Sequence, residues 1–325
     1  MSLNAINKYL PYMKYYEEVE NIWSPYLVLK QQQNIDNKIL STDQFGFRYT
    51  DSNERYTILN DNHTHENNEQ IIITGNSTAF GIGCSSDKKT IPSNLSNLLK
   101  KRVYNLSLRT CNSFQELILF LQVLDKFKNL KTVVIVSGFN DILIDRYVIK
   151  KSIITPPLFY QSKIDNINID LKTSFWRKFL PNNLFKNNSL IFEDKSFNWK
   201  KNFEKNLKVW KSLSKEFNFN ILFALQPYYK WSKKLFSKEE KDIFNEIESK
   251  KIKTYEVLKN FNQDDYNKID FFFSDICKKN NISYLDLNRT LRDYRENNKW
   301  LFADALHLTD LGYKIVSEKI SSLIK

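Results

Sequence analysis

Five short apolar runs, at residues 71–74, 103–108, 133–137, 221–225 and 282–287, constrain what this 325-residue chain can fold into more than any other feature. Each has the length of a strand. Helical patterns lie between them, clearest at Phe114-Gln-Glu-Leu-Ile-Leu-Phe-Leu-Gln-Val-Leu-Asp-Lys-Phe127. Apolar strands alternating with amphipathic helices predict an α/β fold in which a parallel sheet carries helices on both faces. Right-handed crossovers make a flavodoxin-like, doubly wound sheet the simplest topology. Ligands of such sheets bind beyond the carboxyl ends of the strands, and Ser77 and Asn140 both come directly after predicted strand ends.

The rest of the chain departs from that rhythm in two places. Residues 1–68 are aromatic and polar and read as an N-terminal accessory segment, with candidate strands at 26–29 and 45–48 and a solvated loop at 60–68. Residues 69–325 then form the α/β domain. Within it, residues 145–215 read as an inserted cap with Pro156-Pro157 and with Phe175, Trp176, Phe179, Phe185, Phe192, Phe197 and Trp199, helical from 199 to 217. These aromatics are expected to pack the insertion onto the domain or to form a lid that shapes a pocket, and the two roles are compatible.

Glycine marks where chemistry is expected. The chain has six, and five of them fall in three short segments. Gly75, Gly81 and Gly83 bracket Ser77, Gly138 lies just before Asn140, and Gly312 follows Asp304 and His307. Glycine is needed where the backbone takes φ > 0 or passes close to a ligand, so a chain this sparing of it points to its site.

Composition narrows the function classes. With 42% hydrophobic and 14% aromatic residues the chain is globular rather than disordered. The net charge of +12 favours anionic partners. The lysines are scattered among asparagines, without a basic stripe interleaved with aromatics, which argues against nucleic acid as the partner. Cys84, Cys111 and Cys277 lack metal-ligand spacing and read as free, buried thiols. No apolar run suits a signal peptide or a membrane span, so no integral membrane segment and a cytoplasmic location are expected. The sequence carries no signal of oligomeric state.

A serine hydroxyl needs a base to take its proton and a third group to orient that base. Of three histidines, His307 lies three residues after Asp304. That spacing places both on one side of a single turn, where Asp304 can accept the Nδ1 proton and leave Nε2 for a nucleophile. Taken alone, the pair is equally a surface helix cap. His63 and His65, with Glu66 and Glu69, could suggest a metal site, but no companion ligand spacing appears and a polar loop accounts for them.

Taken together, the segments resemble the SGNH/GDSL hydrolase family, over most of residues 70–325 and in family order. Thr74-Gly-Asn-Ser-Thr-Ala-Phe-Gly-Ile-Gly83 is similar to its nucleophile block. Val103-Tyr-Asn-Leu-Ser-Leu-Arg-Thr-Cys-Asn-Ser-Phe-Gln-Glu116 is similar to its second block, Gly138-Phe-Asn-Asp141 to its third and Asp304-Ala-Leu-His307 to its last. Thr42-Asp-Gln-Phe-Gly-Phe-Arg48 and Leu225-Gln-Pro227 are similar to elements of members found with surface-polysaccharide genes.

The resemblance implies that Ser77 attacks an ester carbonyl, that His307 is general base and then acid, and that Asp304 steers it. Backbone N–H groups of Ser77 and Thr110 and the Asn140 side chain would form the oxyanion hole. It implies no cofactor and no metal, and an ester of a small molecule or O-acylated carbohydrate as substrate. The family's Asp before the serine is Asn76 here, which keeps hydrogen-bonding capacity without the charge. The family's oxyanion glycine is Thr110, whose β-branch resists φ > 0, and Arg109 adds bulk and charge, so a narrowed or anion-tuned pocket is expected. An O-acyltransferase on the same serine and a non-catalytic binding protein on a degenerate hydrolase fold are the alternatives.

Overall fold

The computed structural model describes residues 3–24, 26–61, 68–147, 198–250, 258–294, 296 and 298–324. The N-terminal segment holds α1 (Asn4–Tyr9), α2 (Lys14–Glu17), an antiparallel hairpin of β1 (Asn21–Ser24) and β2 (Val28–Gln31), and a second small pair, β3 (Thr50–Asp51) and β4 (Arg55–Tyr56). The strand expected at 26–29 begins two residues later, because Tyr26 adopts a left-handed φ of 64° in the turn before it. Residues 45–48 are not a strand. Asp43 Oδ1 accepts the N–H groups of Phe45, Gly46 and Phe47 at 2.9–3.0 Å and bends the chain into a turn.

The apolar runs become β5 (Gln70–Gly75), β6 (Arg102–Ser107), β7 (Leu130–Ser137), β8 (Asn220–Leu225) and β9 (Ser283–Asp286). They form one parallel five-stranded sheet in the order β6-β5-β7-β8-β9, which is the flavodoxin-like order. Their side chains are almost wholly buried, as a sheet covered on both faces requires.

Helices fill the connections. After β5 come α3 (Ser77–Phe80) and α4 (Ile91–Leu99), after β6 α5 (Ser113–Val123), and after β7 α6 (Phe139–Tyr147) and α7 (Trp199–Glu216). Beyond β8 lie α8 (Tyr229–Ser232), α9 (Lys238–Ser249) and α10 (Gln263–Lys279), and beyond β9 α11 (Leu287–Arg292) and α12 (Asp310–Leu323). Helix α4 packs with α12, while α5 and α6 pack with α7, so the sheet is covered on both faces. Asn112, Ser237 and Asn262 each cap a helix with a reciprocal capping box.

The helix expected over 199–217 is α7. Its Trp199 packs edge-on against Phe272 with ring centroids 5.1 Å apart. The remainder of the expected cap, residues 148–197 with their aromatics and the lid reading, lies outside the described residues. So do His63, His65 and Glu66. Among the described residues no helix is long and apolar enough to cross a membrane, and no group of three or more His, Cys, Asp or Glu could hold a metal ion. The three cysteines are free and buried.

Candidate active site

Strands β6, β5 and β7 are neighbours, so the segments leaving their carboxyl ends meet above the middle of the sheet. Ser77 opens α3 directly after β5, Thr110 lies in the turn after β6, and Asn140 sits in the first turn of α6 after β7. This is the point where the strand order reverses, at which open α/β sheets place their ligands.

The sharp exit from β5 depends on Gly75. Its φ is 146°, and a Cβ there would stand 2.1 Å from the Val136 carbonyl oxygen. Asn76 then caps α3, its Oδ1 accepting the Thr78 N–H at 3.1 Å. Its Nδ2 donates to Gln226 Oε1, and Gln226 Nε2 donates to Thr78 Oγ1 at 2.7 Å. Thr78 Oγ1 in turn donates to the Leu306 carbonyl at 3.2 Å, one residue before His307. Asn76 and Gln226 are both fully buried, and this chain of bonds links the start of α3, the end of β8 and the histidine loop.

His307 does not lie in a helical turn. It belongs to a loop closed by a bridge between Phe302 and Leu308, and Asp304 Oδ1 holds that loop by accepting the N–H groups of Leu306 (2.8 Å) and His307 (2.9 Å). The outcome matches the pairing inferred from the spacing. His307 Nδ1 lies 2.7 Å from Asp304 Oδ2, and His307 Nε2 lies 2.7 Å from Ser77 Oγ. With Nδ1–H donated to Asp304, the Ser77 hydroxyl is left to donate to Nε2.

The surroundings of Asp304 favour its ionised form. Burial on its own would push the Asp304 carboxyl up. The facing His307, its hydrogen bond and the two backbone N–H groups outweigh burial and hold the carboxyl below its ordinary range. Ser77, Asp304 and His307 are each half-buried, with a remaining edge that reaches solvent.

Thr110 and Arg109 differ from expectation. Neither takes a positive φ, so the turn after β6 does not require glycine. Among the described residues, the N–H groups of Ser77 and Thr110 make no hydrogen bond within the protein. The Arg109 guanidinium does not line a pocket as a free charge. It donates to the Val19 carbonyl at 2.9 Å, and burial holds its pKa below the ordinary value. Asn140 Nδ2 donates to the Cys111 carbonyl at 2.7 Å, which ties the α6 turn to the turn that carries Thr110.

Behind Asn140 lie two buried acids. Asp141 accepts both the N–H and the hydroxyl of Ser113, at 3.0 and 2.6 Å, and Glu116 accepts the Ser137 hydroxyl at 2.6 Å. Burial raises both: Asp141 to about 6, against the Ser113 bonds that lower it, and Glu116 further above its usual range with the Asp141 charge adding to the effect. The bridging role of Gln226 was not inferred from the sequence, although it directly follows a strand end, as Asn76 and Ser77 do after β5.

No protein-family model matches the sequence, and no curated protein matches it. Among solved structures the chain is similar to a member of the lipolytic protein G-D-S-L family from Veillonella parvula, at 12% identity and a TM-score of 0.45, over 78% of this chain and 97% of that one. It is likewise similar to an acetyl xylan esterase (13% identity, TM-score 0.44, 79% and 100% covered) and to the lipase/acylhydrolase from Enterococcus faecalis (13%, 0.41, 79% and 97%). At such identities the functional reading rests on the site's own geometry.

Proposed function

We propose that this protein is a serine esterase of the SGNH/GDSL type that deacylates an O-acylated carbohydrate or small molecule through an acyl-enzyme on Ser77. The observation that carries the reading is the row Asp304–His307–Ser77, with both contacts at 2.7 Å. Ser77 Oγ attacks the acyl carbon while its proton passes to His307 Nε2, and the imidazolium formed faces the Asp304 carboxylate. The negative charge that develops on the carbonyl oxygen is met by the N–H groups of Ser77 and Thr110 and by the Asn140 amide. As the tetrahedral adduct collapses, His307 returns the proton to the leaving alkoxide and the alcohol departs. A water then loses a proton to His307, attacks the acyl-serine, and the carboxylic acid leaves with Ser77 restored. The carbohydrate preference rests on the sequence resemblance.

The test is release of p-nitrophenol from p-nitrophenyl acetate at pH 8 by wild type, Ser77→Ala and His307→Ala, with fluorophosphonate labelling of Ser77. Rates are expected to fall by about 10⁴–10⁶ in both variants. Equal rates in all three proteins and no label at Ser77 would overturn the reading. A label without turnover, relieved by adding an acyl acceptor, would replace hydrolysis by acyl transfer.

A further inference from the structure

Helix α3 is a single turn of four residues, too short to hold its own position, and the loop after it leaves carbonyls that need donors. Five successive carbonyls there, from Phe80 to Cys84, are each bound by a side chain. Arg48 Nη1 donates to Gly81 O at 2.8 Å and approaches Phe80 O at 3.3 Å. The Tyr16 hydroxyl lies 3.1 Å from Gly81 O and 2.7 Å from Cys84 O, Tyr313 donates to Ile82 O at 2.6 Å, and Tyr12 donates to Gly83 O at 2.9 Å. Tyr12, Tyr16 and Arg48 all belong to the N-terminal segment. Arg48 is wholly buried and is itself fixed by Asp87 (2.8 Å) and by the Ile39 carbonyl (3.0 Å).

The same loop touches the histidine side. A Cβ on Gly83 would stand 2.3 Å from the carbonyl oxygen of Leu308, the residue after His307. Ser85 gives its N–H and its hydroxyl to Asp310 at 2.8 and 2.5 Å. Gly81 and Ile82 also donate their N–H groups to the Ser77 carbonyl at 3.0 Å, so loop 81–85 joins the start of α3 to the chain that follows His307.

We infer that Tyr12, Tyr16 and Arg48 of the N-terminal segment are positioning residues for the site: they clamp loop 81–84 and so set the register between Ser77 Oγ and His307 Nε2. The inference rests on the reading of Ser77 as nucleophile. The hydrogen bonds of these three residues go to the loop carbonyls, to Ile39 and Asp87, and between Arg48 and Tyr16, so their action on the site runs through the loop.

The experiment compares full-length wild type, Tyr16→Phe, Tyr12→Phe and Arg48→Lys with Tyr56→Phe as the control. Tyr56 lies in the same segment, but its hydroxyl accepts the Val103 N–H and pairs with Ser96, away from the loop. Three quantities are read: kcat and KM per fluorophosphonate-titrated site, the melting temperature, and the downfield Nδ1–H proton resonance of His307, assigned by its loss in His307→Ala. Tyr16→Phe and Arg48→Lys are expected to lower kcat by about 10–10²-fold at unchanged KM and to shift the imidazole resonance. Tyr56→Phe is expected to lower the melting temperature and leave the other two unchanged. Variants that melt early yet keep wild-type kcat per site and resonance would overturn the inference and leave the segment a purely stabilising role. Should Arg48→Lys fail to fold, the single-hydroxyl deletions Tyr12→Phe and Tyr16→Phe decide. Should wild type neither label nor turn over, the nucleophile reading fails, and an unmoved resonance in Tyr16→Phe would separately overturn the positioning role.

Discussion

Asn76 shows how much one atom decides beside the proposed nucleophile. Its amide donates to Gln226 while its carbonyl accepts from Thr78, a pairing an aspartate cannot make. In Asn76→Asp, Gln226 would have to turn its amide, and Thr78 Oγ1 would then face an acceptor and give up its bond to Leu306. One buried bond is lost in either arrangement. A loss of about 1–3 kcal/mol is expected, readable as a lower urea midpoint at unchanged slope. Asp304 sets a different dependence. Its folded-state pKa lies below its ordinary value of 3.8, so the stability it adds is present above that value and is lost as pH falls through the lower folded one. Asp304→Asn removes that acid limb. It also leaves the imidazole in the wrong tautomer, so esterase turnover is expected to fall by about 10⁴.

At the scale of elements, the contact between α5, α6 and β7 carries the two buried acids, and their sign is opposite to that of Asp304. Burial raises Asp141 from 3.8 to about 6 and lifts Glu116 as well, so each carboxyl is harder to ionise folded than unfolded. Between the unfolded and folded values the unfolded chain binds fewer protons, and stability therefore falls as pH rises through that window. Glu116→Gln keeps an acceptor for the Ser137 hydroxyl and removes the charge. It is expected to stabilise the protein by about 1–3 kcal/mol at pH 7.5 and to have little effect at pH 4, measured as denaturant midpoints at both pH values. A variant less stable than wild type at pH 7.5 would show that the charge itself is needed. The junction between the α3 loop and the histidine loop is the second sensitive contact. Gly83 has a φ of 96° and no room for a Cβ, so Gly83→Ala must push Leu308 away. It is expected to cost about 1–3 kcal/mol and to lower turnover per active site, seen by active-site titration.

Over the whole molecule, the N-terminal segment and the sheet share one apolar core, with Leu3, Ile6, Leu27, Phe47 and Tyr56 buried against it. Glu246 of α9 caps α1 by accepting the N–H groups of Asn4 and Ala5, and Thr50 donates to the Val103 carbonyl in β6. The Arg48–Asp87 ion pair crosses the same boundary, with the arginine side chain wholly buried. Removing the guanidinium leaves Asp87 buried without its charge partner. Arg48→Ala is therefore expected to lose about 3–5 kcal/mol in a denaturant titration, well beyond the effect of a surface ion pair such as Lys279–Asp275.

Local chemistry explains what could be read from the chain. A strand buried on both faces must be apolar, so the five runs, their parallel order and the siting of Ser77 and Asn140 after strand ends were all readable in the sequence, as was the Asp304–His307 pairing, which spans three residues. The turn at 45–48 was misjudged because Asp43, just upstream, outcompetes strand pairing there. The course of Arg109 was hidden for a different reason, since its partner lies ninety residues away in the N-terminal segment. Separation along the chain likewise hid the bonds of Gln226 with Asn76, Tyr313 with Ile82 and Arg48 with Gly81. Sequence alone determined which strands form and which residues follow their ends, because backbone propensity and burial act over a few neighbours. Only the tertiary structure decided what holds them in register, because a hydrogen bond between distant segments leaves no periodicity in either one.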